Sequence, residues 1–103
     1  MPEILLSDFE KKVLQELEKV PLGRVTTYQN LAKKVGKPKA ARAIGNVMNK
    51  NPWAPRVPCH RVVKSNGELG GYAFGIEKKM ILLKKEGVKV RDGKVLDFEK
   101  IVI

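Results

Sequence analysis

The stretch Pro58-Cys59-His60-Arg61-Val62 constrains this chain more than any other, because it sets the only cysteine directly beside the only histidine. In an extended segment adjacent side chains point to opposite faces, so the two can cooperate only across a tight turn or through one bridging water. Pro58, with its fixed backbone angle, suits such a bend. A thiol attacks as thiolate, and with a pKa of about 8.5 it is mostly protonated at neutral pH unless a base or a cation intervenes. His60 and Arg61 are candidates for both roles. A lone cysteine taken by itself is more often an inert, buried small hydrophobe; its neighbours here turn the reading towards chemistry. One Cys and one His leave a zinc site short of soft ligands, so no metal is expected.

At 103 residues the chain is long enough for one modest core and too short for two, so residues 1–103 are expected to form a single domain. Hydrophobic residues at 43% and charged residues at 31% suit a folded, soluble protein. The net charge of +10 is the unusual number, and it points to an anionic partner, nucleic acid first. No long apolar run and no basic helix with a bulky aromatic face argues for a membrane. A single cysteine rules out an internal disulfide framework, and residues 1–6 lack the basic and apolar regions of a signal peptide, so the reducing cytoplasm is the expected compartment.

Along the chain, Ser7-Asp8-Phe9-Glu10 has the capping-box form, and Phe9, Val13, Leu14 and Leu17 follow at helical spacing up to a stop near Val20-Pro21-Leu22-Gly23. Arg24-Val25-Thr26-Thr27 reads as extended, with Thr27 capping a second helix through Tyr28, Leu31, Ala32 and Val35. Gly36-Lys37-Pro38 breaks it, and a third helix runs from about 39 to 49. Two short helices around a glycine turn make a helix-turn-helix, which on a basic chain suggests DNA. Arg42 stands among Ala40, Ala41, Ala43 and Gly45, small neighbours that let a helix approach a groove while the arginine reaches out; a surface arginine on an alanine-rich helix is the plain alternative. Three prolines in residues 51–58 make a stiff loop fit to wall a pocket, with Trp53 packed in it. Val62-Val63-Lys64 is extended, Ser65-Asn66-Gly67 a turn, and Gly70-Gly71-Tyr72-Ala73-Phe74-Gly75 a glycine-flanked aromatic loop that permits close approach to a flat ligand. A further helix from Ile76 carries Met80, Ile81, Leu83 and Lys84 to a glycine cap at Gly87. Glu86 in its last turn opposes the helix dipole and wants a local partner such as a histidine. Asp92-Gly93 between alternating apolar residues signals a terminal hairpin. The expected fold is mainly α with small β elements, a single winged helix-turn-helix-like domain with a C-terminal hairpin.

Taken together these residues resemble the O6-alkylguanine-DNA alkyltransferase family. The resemblance is carried by Arg24-Val25-Thr26-Thr27-Tyr28, Ala40-Ala41-Arg42-Ala43-Ile44-Gly45, Asn51-Pro52, Pro58-Cys59-His60-Arg61-Val62-Val63, Tyr72, Leu82-Leu83 and Glu86-Gly87, in unbroken order over most of residues 7–87. It implies a suicide repair reaction, without cofactor, in which Cys59 takes a methyl or small alkyl group from O6 of guanine in double-stranded DNA. It further implies that His60 activates the thiol through a water, that Glu86 orients the histidine, and that Asn51 braces the loop before the site. Tyr28 would help rotate the nucleotide and protonate the departing guanine, and Arg42 would fill the gap left by the flipped base. The second helix of the motif, with Ala41, Ala43 and Gly45, would enter the minor groove. Carbonyls of Cys59 and Val62 and the amide of Ala73 would read the guanine edge, with Tyr72 lining the pocket.

Many members of that family carry a further N-terminal domain. Six residues ahead of the first helix make this chain, on the resemblance, the C-terminal catalytic domain alone, expected to be a monomer. Phe74 takes a lid position that is glycine in some members, which would narrow the pocket against bulky adducts. Alkyltransferase-like relatives bind the lesion without transfer and usually replace the acceptor cysteine, commonly with tryptophan; Cys59 favours transfer. A plain basic DNA-binding module with an inert thiol is the third reading.

Overall fold

A computed structural model of the chain describes residues 7–50 and 57–103. Among the described residues, five α-helices and four two-residue strands make the fold mainly helical. Helix α1 (Asp8–Glu18) opens with the reciprocal capping box: Ser7 accepts from the Glu10 amide at 3.1 Å and donates its own amide to the Glu10 carboxylate at 2.9 Å. Its inner face buries Val13, Leu14 and Leu17, each stabilising by about 2 kcal/mol. Strand β1 (Thr26–Thr27) leads without a linker into α2 (Tyr28–Lys34), capped by the Thr27 hydroxyl accepting from the Asn30 amide at 2.9 Å. Gly36, at φ 78°, turns the chain into α3 (Ala41–Lys50), which starts two residues later than its spacing predicts, after the turn at residues 37–40 closes.

A single 3-10 turn, Cys59–Arg61, carries the sole cysteine and histidine and runs into β2 (Val62–Val63). Strand β2 pairs in parallel with β1, Thr26 opposite Val62 and Thr27 opposite Val63. Because neighbouring strand residues face opposite ways, Val62 joins the cluster formed by α1, α2 and α3, while Val63 joins a second cluster with Val25, Leu69, Leu83, Val88 and Val95. The short sheet is thus the partition between two cores. Helix α4 (Ile76–Lys85) packs against the 3-10 turn, and the hairpin of β3 (Val90–Arg91) and β4 (Lys94–Val95) turns at Asp92 and Gly93, both left-handed. Helix α5 (Phe98–Ile101), which the sequence pattern does not announce, brings Val102 alongside Val25 and lets the Ile103 carbonyl accept from Thr26 Oγ1 at 2.8 Å and Asn30 Nδ2 at 3.1 Å.

The end of α4 fixes the position of Glu86. Val88 N–H donates to Leu83 O and Gly87 N–H to Lys84 O, both at 3.0 Å, closing a Schellman motif around Gly87 at φ 85°. A Cβ at Gly87 would meet nothing within 4 Å, so substitution there reads backbone strain alone. Gly87→Ala is expected to destabilise the chain by about 1 kcal/mol in urea unfolding, and Gly87→Asn by less, because asparagine tolerates the left-handed region.

Candidate active site

The 3-10 turn does for Cys59 and His60 what an extended segment could not. With Pro58 at φ −83° and ψ 69° ahead of it, the turn buries both side chains, at 3% and 2% exposure, on one compact loop. His60 Nε2 lies 2.9 Å from Glu86 Oε2, the partner that an acid at this helix end required. Arg61 does not face the thiol; its Nε and Nη2 grip both Glu86 oxygens at 2.8 and 2.7 Å, and its Nη1 donates to Val20 O at 2.7 Å. Burial alone would raise the Glu86 carboxyl, but the hydrogen bonds from Arg61 and His60 outweigh it and hold it below the usual carboxylate range.

His60 is driven the other way. Burial lowers its pKa below 6.5, the Glu86 hydrogen bond resists, and the nearby Arg61 and Lys79 charges add to the lowering. The imidazole is therefore neutral at pH 7, with its proton on Nε2 facing the Glu86 carboxylate. Nδ1, buried and without a hydrogen-bond partner among the described residues, keeps its lone pair. That combination is a base held in one tautomer.

Tyr28, Gly45, Asn46, Met48, Asn49, Cys59, Gly71, Tyr72 and Ala73 enclose a cavity of about 250 Å³. The fold thus gathers Cys59, Tyr28, Tyr72, Ala73 and Gly45 around one space. Burial, with a smaller contribution from Cys59, raises the Tyr28 hydroxyl pKa, so it stays a proton donor. Tyr72 is pushed to about 12 by burial and by its charge interaction and hydrogen bond with Cys59. Gly70 leaves room for Tyr28: at φ 72°, a Cβ there would sit 3.2 Å from the tyrosine hydroxyl.

The remaining expected site residues fall elsewhere. Val62 is fully buried outside the cavity lining, and its carbonyl accepts from Lys79 Nζ at 2.7 Å. Asn51 and Trp53 lie outside the described residues. Phe74 is 60% exposed and meets Tyr72 edge-on, ring centres 5.4 Å apart, instead of closing the cavity. Arg42 is exposed on α3, where Ala41 and Ala43 are half-buried, and Lys33, Lys34, Lys37 and Lys39 are exposed around the preceding turn. Residues 19–67 contain eleven Lys or Arg and no Asp or Glu, so the whole of the net charge of +10 resides in the segment bearing α2, α3 and the 3-10 turn. That charge asymmetry is readable in the sequence, as the burial of Lys79 is not. Among the described residues, no group of three or more His, Cys, Asp or Glu is placed to hold a metal, and no helix is long and apolar enough to cross a membrane.

The pKa shifts fix the sign of a pH response. Below pH 6.5 the unfolded chain binds a proton at His60 that the folded chain refuses, so stability falls as pH drops from 6.5 towards the lowered folded value. Glu86 adds stability above its unfolded value of 4.5 that is lost as pH falls through its lower folded value. Urea unfolding from pH 8 to 4 is expected to show decline beginning near 6.5, and His60→Gln should remove this first limb; a flat wild-type profile down to about pH 5 would contradict the neutral imidazole.

The family model described as 6-O-methylguanine DNA methyltransferase, DNA binding domain, matches residues 8–88. A methylated-DNA–protein-cysteine methyltransferase of Methanosarcina acetivorans is 49% identical over 81 residues, which are 79% of this chain and 52% of that protein. The chain spans about half the length of such relatives. Among solved structures, Mycobacterium tuberculosis OGT in complex with DNA matches with a TM-score of 0.78 and 40% identity over 82% of this chain and 52% of that one. S. pombe Atl1, solved with damaged DNA containing O6-carboxymethylguanine, gives a TM-score of 0.85 at 28% identity over 97% and 98% of the two chains. With most of its length inside the family model, carrying its sole cysteine and the paired His60 and Glu86 with it, the chain belongs to the 6-O-methylguanine DNA methyltransferase family.

Proposed function

We propose that the chain repairs DNA by moving a methyl or small alkyl group from O6 of guanine to Cys59, once per molecule. The observation that carries this reading is Cys59 in the wall of a cavity with room for a single base, next to a neutral imidazole pinned by Glu86. The thiol proton passes to His60 Nδ1, directly or through a water. The thiolate then attacks the alkyl carbon in line with the C–O6 bond, the C–S bond forms as C–O6 breaks, and the electron pair leaves with guanine. Tyr28, kept protonated by burial, supplies the proton that neutralises the departing base, and the proton taken up by His60 returns through water to the tyrosine, so that the thiol proton ends on guanine. No cofactor enters the balance.

The reaction requires the base outside the stack, because the alkyl group is inaccessible within a duplex. Exposed Arg42, flanked on its helix by half-buried Ala41 and Ala43, is suited to occupy the vacated place, and the lysines around it to neutralise phosphates. The chain corresponds to the catalytic part of its longer relatives, and residues 1–103 act as one monomeric unit on double-stranded DNA in the cytoplasm. The near end-to-end match with Atl1 favours a second reading, lesion binding without transfer.

Intact-protein mass after incubation with a duplex holding one O6-methylguanine separates the two. A gain of about 14 Da on the wild type and none on Cys59→Ser is the expected result; selective binding without mass gain would leave lesion recognition alone. Arg42→Ala is expected to slow repair in duplex by at least about tenfold while sparing reaction with a free base analogue. Equal losses on both substrates would remove Arg42 from base extrusion.

A further inference from the structure

Lys79 lies on the inner face of α4 with 0% exposure, a condition that lysine almost never meets unless paired. Its Nζ donates to Val62 O at 2.7 Å and to Gly71 O at 3.0 Å. Both acceptors are neutral. Among the described residues no carboxylate stands within ion-pair distance of it: Glu77 of its own helix is exposed, and Glu86 is committed to His60 and Arg61. Two carbonyls solvate an ammonium but do not cancel its charge, and an uncompensated buried cation is expensive.

Cys59 is tied to the first of these acceptors: the Val62 amide donates to Cys59 O as it closes the 3-10 turn. Burial pulls the Lys79 ammonium down to about 8, and negative charge on Cys59 is what pushes it back up. The coupling is reciprocal: whatever a thiolate does for the ammonium, the ammonium does for the thiolate. The other ionisable groups around the pair are His60, which Lys79 helps keep neutral, Tyr28, whose hydroxyl shares the cavity with Cys59, and Tyr72, which hydrogen-bonds Cys59. The same nitrogen also joins two segments of the site: Val62 directly follows the 3-10 turn that holds Cys59, and Gly71 lines the cavity.

We infer that Lys79 is a positioning residue for the acceptor: its ammonium ties the Cys59 turn to the Gly71 loop and stands as the fixed, buried cation that favours Cys59 in its ionised form. What the thiolate then attacks rests on the function proposed above; the pairing of cation and thiol does not.

The test reads the thiol first. The rate of Cys59 alkylation by iodoacetamide across pH reports its thiolate fraction, and the wild type is expected to inflect below the ordinary thiol value of about 8.5. Lys79→Met, which keeps the length and removes the charge, should move that inflection up by about one unit and slow alkylation at pH 7 about tenfold. Lys79→Gln, which keeps N–H donors for the two carbonyls, should shift it likewise while melting closer to the wild type. Single-turnover transfer from an O6-methylguanine duplex should fall by a similar factor in both. A wild-type inflection at or above about 8.5 overturns the inference without any variant, as does a folded Met or Gln variant with the wild-type profile. If the wild type moves no alkyl group, the proposed function fails, and the iodoacetamide profile still decides the role of Lys79.

Discussion

The carboxylate of Glu86 receives three short hydrogen bonds from two consecutive residues, His60 and Arg61, and the rest of the site depends on that sharing. It ties the 3-10 turn to the end of α4, and through Arg61 and Val20 it reaches the segment just after α1. Without Arg61, the half-buried carboxylate would have only a neutral imidazole to offset its desolvation, and the proton between them would be free to settle on either group. The arginine commits the acid to its charged state, and the charged acid commits the histidine to one tautomer.

Charge in this interior is distributed with a consistent logic. Glu86 is satisfied by a bidentate guanidinium, His60 is discharged by burial, and Lys79 is held by two backbone carbonyls. Each arrangement keeps a different group from neutralising the one beside it. The parallel pairing of β1 and β2 makes this possible in so small a chain, because it sets α1, α2 and α3 on one side of the partition and α4 with the hairpin on the other.

Local chemistry in the chain was legible before the structure. Ser7 and Glu10, Thr27, the Asp92-Gly93 turn and Gly87 each solve a problem confined to a few residues, and each appears where its residue type demands. Glu86 was legible as a misfit, an acid at a helix end that repels it. What stayed hidden is non-local. Arg61 reads as a partner for the thiol until Glu86, 25 residues away, is seen to take both sides of its fork. Lys79 reads as a polar-face residue, because a helical pattern ranks lysine outside and Ile81 inside; the structure reverses them, with Ile81 51% exposed. The closure of β1 by Val102 and Ile103 left no trace in periodicity, since a two-residue strand has no period to show.

Cys59 sits within the larger apolar cluster and shows 3% of its surface. On the proposed function, a group that reacts a single time must first survive unspent among oxidants and stray electrophiles, whose attack follows thiolate character and exposure together. Enclosure lets the two be separated: the turn and its cation can sharpen the sulfur while the surrounding core rations access to it. On that proposed function the cavity is as much a storage vessel as a reaction chamber, and the working life of each molecule would be set by how rarely anything but the intended base gets in.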